Sequence, residues 1–133
     1  MQEWLVPYAS TVQALGAMAG LFLVQMVVLD VAGMRSGHKP GMPVPSDHGV
    51  FLFRATRAHA NTNESIAAFV MLVLFGIFRG ASPSTLSALS WTWVAARAAH
   101  MAFYYAGIGA ARSAAFGLGF LVLGAMLVVG FLA

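Results

Sequence analysis

Arg54-Ala-Thr-Arg57-Ala-His59-Ala-Asn61-Thr-Asn-Glu64-Ser65 runs directly into Ile66-Ala-Ala-Phe-Val-Met-Leu-Val-Leu-Phe-Gly-Ile-Phe78. The second half of this stretch has no polar side chain. Together the halves exceed the roughly 20 residues that a helix needs to cross a bilayer. At about 100° per residue, Arg54, Arg57, Asn61 and Glu64 fall within a quarter-turn of one helix face. A charge at the bilayer centre costs at least about 2.5–3.5 kcal/mol on insertion scales. Such residues face a bundle interior, pair with each other or bind something charged, so the stretch marks a functional site as well as a span.

The rest of the chain agrees with a membrane setting. Of its 133 residues, 60% are hydrophobic and 8% charged, too apolar for a soluble domain of this size. We expect a single domain, 1–133, that is an all-α, integral membrane, antiparallel four-helix bundle. Its spans are expected at about 12–33, 50–78, 85–107 and 114–132. Only Arg35 to His48, with Pro40, Pro43 and Pro45, reads as a real loop. Arg79-Gly-Ala-Ser-Pro-Ser84 and Gly107-Ile-Gly-Ala-Ala-Arg-Ser113 are short turns, which imply antiparallel neighbours. Gly117, Gly119, Gly124 and Gly130 in the last span favour close helix approach in lipid. Arg35, Lys39, Arg54, Arg57 and Arg112 lie on one side and Arg79 on the other. The positive-inside rule therefore places the long loop in the cytoplasm.

Several functions are disfavoured. The N-terminal Met1 to Pro7 segment carries no basic residue, so the first apolar segment is expected to be retained rather than cleaved. The net charge of +3 includes no basic run, so no nucleic-acid partner is expected. There is no cysteine, hence no thiolate nucleophile or cysteine metal site of the chain's own, and no metal is expected. Any thiol must come from a substrate.

A second polar stripe lies on the third span. Trp93, Arg97, His100 and Tyr104 are spaced four, three and four apart and share one helix face. The following turn adds Arg112 and Ser113. If the two stripes face each other, they enclose guanidiniums, one carboxylate, an amide, an imidazole and a phenol. Arginine binds carboxylate through paired charge-assisted hydrogen bonds, and Glu64 suits an ammonium group. A small, acidic, zwitterionic peptide would satisfy both. Positive charge beside a bound thiol would favour its thiolate, the reactive nucleophile. A plainer reading is that Glu64 pairs with Arg57 or Arg97, Asn61 and Tyr104 join helices, and Arg54 snorkels to the interface. His59 lies off the Arg54 face and reads as packing. Trp91, Trp93, Tyr104 and Tyr105 suit interfacial belts.

Arg54-Ala-Thr-Arg57-Ala-His59-Ala-Asn61-Thr-Asn-Glu64 resembles the signature of the membrane-associated proteins in eicosanoid and glutathione metabolism (MAPEG). Arg97-Ala-Ala-His100-Met-Ala-Phe-Tyr104 and Arg112-Ser113 are similar to that family too, and the likeness covers nearly the whole chain. The resemblance implies a homotrimer that binds glutathione, as co-substrate, between subunits. It implies glutathione contacts at Arg35, Arg57, Asn61, Glu64, His100 and Tyr104, with Arg54 and Arg97 in support. Arg112 and Ser113 would stabilise the thiolate. The implied activity is a glutathione transferase with peroxidase side activity, acting in detoxification on lipophilic electrophiles or hydroperoxides that enter from the bilayer beside the fourth span. Ala60 replaces a basic residue of the prostaglandin E synthase-like branch, and Phe116 replaces a tyrosine. The compact chain resembles bacterial members, which implies the inner membrane. The alternative is a non-catalytic lipid-binding protein of the same fold.

Overall fold

A computed structural model describes residues 3–133. A short 3-10 helix over Glu3–Tyr8 leads into α1 (Ala9–Arg35), followed by α2 (Phe51–Arg79), α3 (Pro83–Ala106) and α4 (Gly109–Leu132). The described residues contain no strand. The chain is thus the expected all-helical bundle. Its first helix starts three residues earlier than hydropathy alone suggested.

Local chemistry sets the boundaries. Gly80 and Gly107 adopt left-handed φ values of +74° and +75° just past α2 and α3. The Gly80 and Ala81 N–H groups donate to Ile77 O and Gly76 O, and those of Gly107 and Ile108 to Tyr104 O and Phe103 O. This paired closure satisfies terminal carbonyls and reverses the chain within a few residues. Pro83 opens α3, where a missing N–H costs nothing.

Three helical stretches are long and apolar enough to cross a membrane: Glu3–Arg35, α2 and α4. α3 is as long as α4 but carries more polar residues. Its Ser90, Arg97 and His100 are buried inside the bundle, so the neighbouring helices shield what lipid would not tolerate.

α2 and α3 form the central pair. α1 and α4 each pack against both, at opposite corners, and share no substantial interface with each other. The core is centred on Phe69 and Trp93, whose rings stack 4.0 Å apart at 11°. Met18, Val73, Leu86 and Met126 close around them. Trp93 is fully buried and Tyr104 nearly so, which corrects their assignment to interfacial belts. Small residues allow tight helix contact, as a Cβ on Gly130 would stand only 2.6 Å from the Phe75 ring.

The two ends of α1 differ. At its start, Tyr8 Oη donates to Ala81 O at 2.8 Å, and Ser10 Oγ accepts from Ser87 Oγ (2.7 Å) and Trp91 Nε1 (3.1 Å). Beyond Gln25, no residue of α1 is buried. Clefts of about 490 and 590 Å³ open there beside α2 and the long loop. At the far end of the bundle, Arg79 Nη2 donates to Ala133 O at 2.7 Å and neutralises the negative end of α4.

Candidate functional site

The two sequence stripes meet. Arg97 on α3 donates from Nη1 to Asn61 Oδ1 on α2 at 3.0 Å. Arg97 is 1% exposed, and its guanidinium lies 5.8 Å from the Trp93 ring and 5.5 Å from Phe116 on α4. It pairs with no carboxylate among the described residues. Aromatic faces offer a cation partial compensation for lost water. Gly119 completes the fit, because a Cβ there would stand 2.9 Å from Arg97 Nη2.

Toward the loop end, Asn61, His100, Tyr104, Arg112, Ser113 and Phe116 line a cavity of about 160 Å³. His100 is buried and packs edge-on against Tyr104, with centroids 5.0 Å apart. The Arg112 guanidinium sits 4.4 Å above the Tyr104 ring. The short α3–α4 turn brings this pair together, since Gly107 reverses the chain five residues before Arg112. Arg112 has no carboxylate partner among the described residues. Ser113 Oγ instead donates to Gly109 O of its own helix at 3.1 Å.

A second cavity of about 260 Å³ adjoins the first and shares Asn61 and Phe116 with it. Glu64, Arg97 and Gly119 also line it. Glu64 is exposed and forms no ion pair with Arg97 or Arg57 among the described residues. The plainer reading, in which Glu64 simply neutralises an arginine of the same chain, therefore does not describe this protomer.

Three sequence candidates lie elsewhere. Arg57 is exposed on α2 and lines neither cavity. Arg54 is turned to the loop, where Nη1 donates to His48 O (2.7 Å) and Gly49 O (3.0 Å). That geometry gives Arg54 a structural task, holding the loop against the start of α2. Arg35 lines the 490 Å³ cleft between α1 and α2. His59 stacks on Phe22 at 4.8 Å, the packing role expected of it. Phe116 and Gly119 were missing from the sequence-based site. In the sequence, Phe116 stands out only as the replacement of a family tyrosine one turn after Arg112-Ser113, and Gly119 only as one of four glycines in the last span.

These features define an integral membrane helical bundle with a cationic polar seam inside it. The sequence pattern of the MAPEG family matches residues 12–132. The chain belongs to the MAPEG family, whose members include glutathione transferases and related membrane proteins, some of them non-catalytic. No curated protein and no solved structure gives a significant match.

Proposed function

We propose that this protein is a glutathione-dependent transferase with peroxidase side activity, acting on lipophilic electrophiles or hydroperoxides drawn from the bilayer. The observation that carries the reading is Arg112. A guanidinium without a carboxylate partner lies over Tyr104 at the mouth of a cavity shared with Asn61 and His100. In this reading it is the cation that receives the thiolate. Arg112 suits the task better than Ser113, whose hydroxyl hydrogen is engaged by Gly109 O. Glu64 would hold the ammonium group of glutathione, and Asn61, His100 and Tyr104 its peptide portion.

In conjugation, the thiolate sulfur forms a bond to the electrophilic carbon, and the leaving group departs with the bonding pair. In peroxide reduction, one glutathione thiolate attacks the distal peroxide oxygen and releases the alcohol. A second glutathione then forms the disulfide and releases water. The protein contributes positioning and a fixed positive charge at sulfur.

The reading includes a homotrimer with glutathione at subunit boundaries. Arg57, Asn63 and Glu64 are exposed on a helix that crosses the membrane, and a neighbouring protomer would cover them. Arg57 and the neighbour's counterpart of Arg35 then become available to glutathione carboxylates. The reading also includes a bacterial inner membrane with the long loop in the cytoplasm. Five of the seven Lys and Arg residues lie at the loop end of the bundle, which supports that orientation.

The test is an ultraviolet difference spectrum of the protein in neutral detergent, titrated with glutathione. A saturable thiolate band that disappears in Arg112→Ala is expected. Absence of both the band and any heat of binding would sink the reading. Non-catalytic lipid binding would then lead, favoured by the 490 Å³ apolar cleft between α1 and α2.

A further inference from the structure

We infer that Arg97 is a positioning residue that acts on the ligand through Asn61. It holds the carbonyl of that side-chain amide and so turns the NH2 group toward the cavities. The inference rests on the glutathione reading only for what the NH2 group meets; the orientation stands on the geometry of this chain.

The guanidinium is pinned from several sides. Arg97 is 1% exposed, with its charge 5.8 Å from the Trp93 ring and 5.5 Å from that of Phe116. On α4 a Cβ at Gly119 would stand 2.9 Å from Nη2. A guanidinium carries donors only. The atom of Asn61 that meets Nη1 at 3.0 Å is therefore Oδ1 and not Nδ2. An isolated amide could sit either way round; beside this arginine it has one way.

That bond leaves Nδ2 unengaged. Asn61 Nδ2 makes no hydrogen bond among the described residues, yet it keeps accessible surface, unlike the sealed Arg97 Nε. Asn61 lines both the 160 and the 260 Å³ cavities, whereas Arg97 lines the larger alone of the two. A ligand beside Arg112 thus meets a donor from Asn61 and not the buried guanidinium. What it places there must be an acceptor, and a peptide carbonyl fits. An ammonium group is refused, which leaves it to Glu64, three residues along the same helix face.

The residue type at position 61 points the same way. A buried cation is best served by an anion, and aspartate has nearly the shape of asparagine. Aspartate would satisfy Arg97 better but would present no donor. The neutral amide gives up that stabilisation and keeps a donor for the ligand, as binding sites commonly do.

Two measurements on the full chain in neutral detergent test this. The first needs no ligand. Asn61→Asp should raise the thermal unfolding midpoint, because Arg97 gains a carboxylate where it now meets a carbonyl. An unchanged or lowered midpoint overturns the orientation.

The second is a double-mutant cycle on glutathione affinity, read from the thiolate band. Arg97→Met should weaken glutathione between about twofold and tenfold, as the loss of one hydrogen bond does. Arg97→Lys, which keeps a donor and the charge, should recover most of that loss. In an Asn61→Ala background, Arg97→Met should cost nothing further. An arginine acting through its field alone would weaken glutathione equally in both backgrounds, and that result overturns the inference. No band in the unaltered protein would remove the glutathione reading instead, and the Asn61→Asp midpoint would still decide the orientation.

Discussion

Burial separates the arginines more sharply than charge does. Arg54 grips loop carbonyls, Arg57 faces outward, Arg79 closes α4, Arg97 is sealed inside and Arg112 rests on a phenol ring. Of these five, only the last two stand free of backbone carbonyls and beside a cavity. The ring of Tyr104, rather than its hydroxyl, meets Arg112, with a cation–π contact worth about 0.5–2 kcal/mol. Tyr104→Phe should therefore keep most of the glutathione affinity, whereas Tyr104→Leu should lose between about twofold and thirtyfold. Titration of the thiolate band in both variants checks this. Equal losses would place the interaction on the hydroxyl instead.

Between helices, the deciding elements are the turns. Gly107 holds a left-handed conformation that costs other residues about 1–2 kcal/mol. Gly109, two residues later, is helical with open space at its missing Cβ. Gly107→Ala should lower the unfolding midpoint in detergent and displace Arg112 from Tyr104. Gly109→Ala should leave both nearly unchanged. Thermal unfolding followed by circular dichroism separates the two cases.

The same scale shows what the sequence could and could not carry. The spacing of Arg97, His100 and Tyr104 placed them on one face, and that face is buried. Spacing on α2 placed Arg57 with Asn61, yet Arg57 is exposed and Asn61 is bonded inside. Periodicity identifies a polar stripe without saying how much of it turns inward. In a membrane both directions are apolar, so hydropathy loses the signal that orients a soluble helix. Trp93 shows the same limit: its composition suited an interface, but its partner Phe69 lies on another helix. Gly119 could not be found from one chain, because its role depends on a side chain 22 positions away.

For the whole molecule, the exposed polar residues of α2 are where the proposed trimer can be tested. Arg57, Asn63 and Glu64 lie exposed in the loop-side half of a helix long and apolar enough to cross a membrane. The unaltered chain is expected to give a trimer in native mass spectrometry, and Arg57→Leu combined with Glu64→Leu to insert normally yet give a monomer. A trimer persisting in the double variant would move the interface off this face. Membership of the family and the helical order were both legible in the sequence. The number of protomers was carried by resemblance, because the spacing of residues along one chain encodes helix packing and not stoichiometry.

The uneven fastening of α1 has a mechanical consequence. Tyr8 and Ser10 tie its start to Ala81, Ser87 and Trp91, while its last ten residues, from Met26 to Arg35, have no buried side chain. The helix resembles a door hinged at one membrane face and unlatched at the other. Its free edge carries Arg35 and stands over the 490 Å³ cleft. Swinging it stretches few contacts, so the amides beyond Gln25 should exchange hydrogen with solvent well before those near Thr11. A ligand that reaches Arg35 would act as the latch.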